Sequence, residues 1–222
     1  MRERWDQLIF EWRIVGRAPW VLATLALALV ALSHGVLAST ALWRRDFVEN
    51  CEAIFPLAFA LATGPLLQVD VRHRMVEFTS MLPGRLVLHL RWLAIWGPFV
   101  GAATIIIIMV GFWGPVRSGP AALAAMGPAA LLSGLTVWST SYSGRVTVGY
   151  LVAVGLLATD LVLRHLGAFA FIPLLQWIDC FAYRWPLASP GWVSVCWSQL
   201  GFGLFLIEYA IFHRDAFYRR LV

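Results

Sequence analysis

The sequence predicts an all-α polytopic membrane protein with six transmembrane helices in a single domain over 1–222. Three observations lead to this fold class. The chain is 60% hydrophobic and only 13% charged, whereas soluble domains have about 25% charged residues. Apolar runs recur at the length of about 20 residues that crosses a bilayer. Polar segments rich in arginine separate these runs, and all 17 basic residues are arginine.

The N-terminal segment 1–17 predicts an amphipathic helix that lies at the membrane interface. Its apolar side chains recur at the helical spacing i, i+3, i+4 and i+7, with polar residues such as Glu11 and Arg13 around them. A disordered basic tail is the alternative, but it does not explain two tryptophans in register. The predicted membrane-interface residues are Trp5, Leu8, Ile9 and Trp12.

Six apolar segments follow, each long enough to cross the hydrocarbon layer. Pro19 suits the first turn of the first span, while Pro56 and the Gly64-Pro65 pair predict a kink in the second. The Ala and Gly content of the fourth favours close packing between helices. The predicted spans are 18–42, 53–69, 92–113, 121–138, 146–163 and 192–212.

The distribution of arginine predicts the orientation. With the N-terminus in the cytoplasm, twelve arginines lie on the cytoplasmic side and five on the other, as positively charged inner loops require. We therefore expect the cytoplasmic (inner) membrane of a bacterium, with both termini cytoplasmic. The arginines are scattered over membrane borders rather than gathered on one face, so no nucleic-acid partner is expected.

The segment 164–190, between the last two spans, contains a short apolar stretch at 166–178. It is too short to span and Pro173 interrupts it, which is typical of a re-entrant segment on the outer side. A seventh span is the alternative. It would move the C-terminal arginines outside.

The segment 70–91 is a polar, arginine-rich island between two apolar runs, and it must lie in water or among headgroups. Met75, Phe78 and Met81 recur at helical spacing and predict an amphipathic helix that faces an apolar surface. The acid Glu77 offers a directional ion pair to a cytoplasmic partner. The alternative is a solvated loop that only fixes the orientation of the chain.

This segment resembles the ABC-2 type permeases of ABC transporters, which often have Thr-Leu-Glu-Leu-Leu-x-x-x-Pro-x-x-Arg after their second span. The matching residues are Met75-Val76-Glu77-Phe78-Thr79-Ser80-Met81-Leu82-Pro83, followed by Arg85. Glu77 falls on the family's Glu and Pro83 on its Pro. The six spans, the amphipathic N-terminal helix and the short outer dip are similar to the family's topology.

The resemblance implies a permease subunit of an ATP-driven exporter of an amphipathic, lipid, peptide or drug-like substrate. The chain has no G-x-x-x-x-G-K-[ST] loop, so ATP and magnesium are expected on a separate ATPase subunit, present in two copies. A second permease chain, identical or homologous, and membrane lipid are the other implied partners. The implied contacts with the ATPase subunit are Arg72, Arg74, Met75, Glu77, Phe78, Met81, Pro83 and Arg85.

Two acids, Asp160 and Glu208, lie inside predicted spans and are functional hypotheses by default. Asp160 precedes Arg164 by one helical turn, which favours a local ion pair at the outer border. Glu208 lies near the inner end of the last span, where it could reach the interface, Arg214 or the N-terminal helix.

Two other function classes remain alternatives: an intramembrane enzyme acting on lipid or peptide, and a non-transporting anchor or immunity subunit. Ser-Tyr-Ser-Gly at 141–144 and His165 are predicted at opposite membrane faces, so they cannot form a catalytic pair. Cys51, Cys180 and Cys196 lack the close spacing of a metal site, although a Cys51–Cys180 disulfide is left open. No catalytic residue and no metal site are predicted in this chain.

Overall fold

α-Helices form most of the described residues, and no strand occurs among them. The computed structural model describes residues 2–17, 21–22, 24–26, 28–29, 43–69, 84–113, 118–183 and 190–214. The helices are α1 (Arg2–Val15), α2 (Trp43–Thr63), α3 (Gly84–Trp113), α4 (Ser118–Ser143), α5 (Val146–His165), α6 (Ala168–Phe171) and α7 (Trp192–Phe212). Two 3-10 turns, Gly64–Leu66 and Pro173–Ile178, follow α2 and α6.

Four of these helices are long and apolar enough to cross a membrane, which confirms an all-helical fold with several candidate spans. The four apolar stretches are Leu86–Ile105, Gly119–Ser143, Val146–His165 and Trp192–Phe212. They overlap the last four predicted spans, with other bounds for three of them. α7 has the predicted ends, but α3 begins at Gly84 rather than at residue 92, because Leu86, Val87 and Leu88 continue its apolar run.

The second predicted span differs more. α2 begins at Trp43, so the acids Asp46 and Glu49, which lie between the first two predicted spans, belong to a helix. Its apolar portion, Glu52–Leu66, is shorter than the four candidate spans. Within the first predicted span, 18–42, the described residues 21–22, 24–26 and 28–29 are helical, and the others lie outside the described residues.

α4 is the central helix. It packs against α2, α3, α5 and α7, and 72% of its apolar stretch is buried compared with 17% for α5. The sequence explains this position, since small residues let neighbouring backbones approach closely. A Cβ on Gly127 would lie 2.7 Å from the carbonyl oxygen of Cys196 on α7, and one on Gly134 would overlap Gly203. These contacts, seven residues apart on both helices, show that α4 and α7 run parallel.

Candidate functional site

A buried ion pair joins α1 to α3. The Nε of Arg91 donates a hydrogen bond to Oε2 of Glu11 at 2.8 Å, and the two side chains are 1% and 5% exposed. The Nη1 of Arg91 also donates to the carbonyl oxygen of Leu66, at 3.2 Å. Arg91 therefore connects three parts of the chain: the N-terminal helix, the turn that follows α2, and the start of α3.

The end of α2 is secured by a second contact, because Pro65 removes a backbone donor. Pro65 has no N–H, so it cannot bond the carbonyl of Leu61 four residues earlier. The hydroxyl of Tyr150 on α5 donates to that carbonyl at 2.9 Å. Its ring lies so close to Gly64 that a side chain there would overlap it. A glycine is thus required at position 64, where the ring of Tyr150 on α5 packs against the end of α2.

A third contact lies beside these two. The Nε2 of Gln68 donates to the carbonyl oxygen of Gly144, in the turn between α4 and α5, at 2.9 Å. We call this group of contacts the Arg91 junction. Its members are Glu11, Leu61, Leu66, Gln68, Arg91, Gly144 and Tyr150.

Burial constrains the geometry of the Arg91–Glu11 pair. A buried guanidinium and carboxylate lose their hydration, and they tolerate burial only when each satisfies the other with good geometry. The Leu66 carbonyl takes up a further donor of Arg91. The segment 70–83 begins directly after this junction, beyond Val69, and ends where α3 starts at Gly84. Arg91 lies about 10 Å along α3 from Gly84, at 1.5 Å per residue.

A second polar group lies at the other end of α5, around Asp160, and we call it the Asp160 cluster. The Nη2 of Arg164 donates to both carboxylate oxygens of Asp179 and to the carbonyl oxygen of Phe181, at 2.7 Å for the last. The ion pair of Arg164 is therefore with Asp179, not the predicted local pair with Asp160. Asp160 instead accepts the backbone N–H of Cys180 at 3.1 Å.

Two further side chains complete the Asp160 cluster. Oε1 of Glu52, on α2, accepts the backbone N–H of Tyr183 at 3.0 Å. The Nε2 of Gln199, on α7, donates to the carbonyl oxygens of Asp179 and Trp177 at 2.9 and 3.2 Å. Side chains from α2, α5 and α7 thus hold the chain from 177 to 183 against the bundle. This arrangement explains the buried acids by loop anchoring.

The cysteines near this cluster carry free, buried thiols at Cys180 and Cys196. Cys180 therefore forms no disulfide with Cys51. Burial raises the pKa of the Cys180 thiol well above its ordinary value, and the neighbouring Asp160 and Asp179 carboxylates raise it further. The thiol is consequently protonated and unreactive at neutral pH.

The second predicted intramembrane acid, Glu208, pairs with a histidine that the sequence did not single out. Its Oε1 lies 2.5 Å from Nε2 of His89 on α3. Both side chains are partly exposed, one turn inside the ends of their helices.

The predicted coupling residues lie mostly outside the described residues. Arg85 lies in the first turn of α3. Of the predicted interface residues, Trp5 and Leu8 lie in α1, and Ile9 and Trp12 on the same helix are 43% and 46% exposed. The coupling residues outside the described ranges are Arg72, Arg74, Met75, Glu77, Phe78, Met81 and Pro83.

Sequence reasoning missed the residues that the tertiary structure brings together most tightly. In the sequence, Glu11 is one polar position of an amphipathic helix, and Arg91 is the basic end of a polar segment. One signal was available: Arg91 lies between Leu90 and Trp92 inside a continuous apolar helix, where an unpaired charge is costly. The partner could not be found from that signal alone.

No family model, curated protein or solved structure matches this chain. Within the described ranges, no group of three or more His, Cys, Asp or Glu side chains is placed to hold a metal ion. Ser143 and His165 are the last residues of α4 and α5, so the whole length of α5 separates them.

Proposed function

We propose that this protein is the membrane-spanning permease subunit of an ATP-driven ABC transporter. In this proposal the segments 18–42 and 53–69 add two spans to the four apolar helices. The chain lies in the inner membrane of a bacterium, with both termini cytoplasmic, and exports an amphipathic, lipid, peptide or drug-like substrate. A separate ATPase subunit in two copies, which binds ATP and magnesium, and a second permease chain, identical or homologous, complete the transporter.

The observation that carries this proposal is the Arg91 junction. The segment 70–83, which contains the family-like residues Glu77 and Pro83, lies in the sequence between Gln68 and Arg91, two members of this junction. A partner that displaces the segment would move Arg91, and with it Glu11 on α1 and Leu66 after α2. A rigid, buried connection of this kind transmits displacement better than a flexible loop, since packed interfaces change between discrete arrangements.

The Asp160 cluster supports the part of the proposal that concerns the outer segment 164–190 and the amphipathic substrate. Phe171, Leu174 and Trp177 present exposed apolar surface beside the anchored chain, and Phe171 is 84% exposed. We infer that the segment 164–190 dips into the outer leaflet between the last two spans. Its apolar surface suits an amphipathic substrate that leaves through the lipid, whereas a soluble ionic substrate would gain nothing from it.

The first test is co-purification from the native membrane in a mild detergent, followed by measurement of ATP hydrolysis. We expect the wild-type chain to retain a P-loop ATPase. Glu77→Lys should lose that subunit, because it reverses the charge of the proposed docking acid. Asp6→Lys, a charge reversal at an exposed residue of α1, is the matched control and should retain it.

The second test separates docking from coupling. Arg91→Met should keep the ATPase subunit bound but abolish the stimulation of its ATPase activity by the reconstituted permease. The variant loses the contacts of Arg91 through which movement is proposed to pass. A purified complex without an ATP hydrolase, or equal ATPase retention by Glu77→Lys and wild type, would contradict the proposal. Labelling of residue 77 from the periplasmic side would also contradict it.

A further inference from the structure

An open groove of about 780 Å³ runs along one face of α1 and the turn after it. It is lined by Ile9, Trp12, Arg13, Gly16 and Arg17. Ile9, Trp12 and Arg13 follow the helical spacing i, i+3 and i+4 and share one face of α1, and Gly16 and Arg17 lie in the turn just beyond it. The groove therefore combines an apolar half with a cationic half.

The rotation of α1 about its axis is fixed, so this face must point away from the bundle. Glu11 lies on the far side of the helix, at about 100–160° from Ile9, Trp12 and Arg13 for a rotation of 100° per residue. Its buried ion pair with Arg91 holds that far side against α3. As a result Ile9 and Trp12 are 43% and 46% exposed, and Arg13 and Arg17 are exposed as well.

The cationic half of the groove has the charge needed to bind an anion. Arg13 lies in the last turn of α1 and Arg17 in the turn that follows it, and both line the same groove. Across the described ranges, neither guanidinium forms an ion pair with a carboxylate. Gly16 separates them with a positive φ of 75°, and a Cβ there would contact nothing within 4 Å. A phosphate group can enter this space and accept from both guanidiniums.

The apolar half of the groove indicates which kind of phosphate compound would bind there. Trp12 and Ile9 place an aromatic ring and an aliphatic side chain next to the two arginines, as in interfacial helices whose apolar residues enter the acyl boundary. The opposite face of α1 contacts α3 at Arg91, close to Leu86 where the apolar stretch of α3 begins, so the groove lies beside one end of a candidate span. Free phosphate would use the arginines and leave the apolar half unoccupied.

We propose that this groove binds one anionic phospholipid, with its headgroup phosphate between Arg13 and Arg17 and its glycerol and upper acyl chain along Trp12 and Ile9. The site does not depend on transport activity and exists whatever the partner of the segment 70–83. A specific anionic lipid would hold α1 at the bilayer surface, beside the Arg91 junction.

The test uses the full-length protein in mild detergent and native mass spectrometry with phosphatidylglycerol and phosphatidylcholine at equal concentration. We expect the wild type to retain phosphatidylglycerol preferentially. The double variant R13Q/R17Q should lose about 25-fold in affinity for it, since each basic residue at an anionic surface contributes about fivefold. R145Q, at an exposed arginine of the α4–α5 turn, removes the same kind of charge and should bind like wild type.

A second variant and a competing anion distinguish a phospholipid site from a site for free phosphate. Trp12→Ala should weaken phosphatidylglycerol and phosphatidylcholine binding alike, because it removes apolar contact and no charge. Inorganic phosphate at millimolar concentration should not displace the lipid; displacement would indicate a free-anion site and overturn the lipid assignment. Equal lipid retention by R13Q/R17Q and R145Q, with both eluting as folded protein in gel filtration, would overturn the whole proposal.

Discussion

The Nε of Arg91 lies 2.8 Å from a carboxylate oxygen of Glu11, although 80 residues separate the two in the chain. Both side chains are almost completely buried. This pair attaches the N-terminal helix to the first candidate span and sets which face of α1 looks outward. The coupling proposal and the lipid groove both follow from this one contact, but by different routes: the first needs Arg91 to transmit movement, the second only needs α1 to keep its rotation.

The Glu11–Arg91 pair gives the first prediction. Glu11→Met alone should lower the free energy of unfolding by about 3–5 kcal/mol, because it removes one partner of a buried ion pair. The double variant Glu11→Met with Arg91→Met should recover most of that loss. Thermal unfolding in detergent, arranged as a double-mutant cycle, measures the coupling. Additive losses would show that the pair does not interact as the geometry indicates.

Tyr150 gives the second prediction. Tyr150→Phe removes the donor of the Leu61 carbonyl and should cost about 1–3 kcal/mol, the penalty for an unsatisfied buried acceptor. Pro65→Ala returns a backbone N–H to the same carbonyl, so the loss should shrink in that background. Tyr142→Phe is the matched control, because Tyr142 is 71% exposed. Equal losses for Tyr150→Phe with and without Pro65 would contradict this account.

The approach of α4 and α7 gives the third prediction. Gly203 lies against the backbone of Ala130 and Leu131, whereas a Cβ on Gly201, two residues earlier, would meet nothing within 4 Å. Gly203→Val should therefore separate the two helices and cost at least about 1–3 kcal/mol through overpacking. Gly201→Val should leave thermal stability close to that of wild type. Similar melting temperatures for the two variants would place the contact elsewhere.

The Asp160 cluster gives the fourth prediction. The measured quantity is the labelling rate of the Cys180 thiol, in a variant whose other two cysteines are replaced by serine (Cys51→Ser, Cys196→Ser). A raised thiol pKa means less thiolate at any given pH, so a maleimide at pH 8 should barely label the otherwise intact protein. Asp179→Asn removes the partner of Arg164, should release the chain near Cys180, and should raise the labelling rate at least tenfold, on the order of the change from a buried to an exposed thiol.

Asp6→Asn is the control for this labelling experiment, since Asp6 is an exposed residue of α1 at the other end of the bundle. Its labelling rate should match that of the parent protein. Rapid labelling of Cys180 before any cluster residue is changed would mean that the chain from 177 to 183 is not anchored as described.

Much of the fold could be predicted because apolar length is a local property. Trp192–Phe212 is a continuous apolar segment bounded by Gly191 and His213, and α7 has the ends that the sequence indicates. The predicted start of α3 is too late because Arg91 suggests a membrane border. A buried charge with a distant partner looks the same, in sequence, as a charge in water.

Neighbouring residues were enough to predict an all-helical fold with helices long and apolar enough to cross a membrane, because hydrophobic periodicity and span length are local properties. The pairing of Glu11 with Arg91, the pairing of Arg164 with Asp179 and the central place of α4 emerge only when the helices are packed together. Which charged residues pair depends on which helices pack together. Helix packing in turn depends on the shape of the entire helix surface. That information is not contained in any single stretch of the chain.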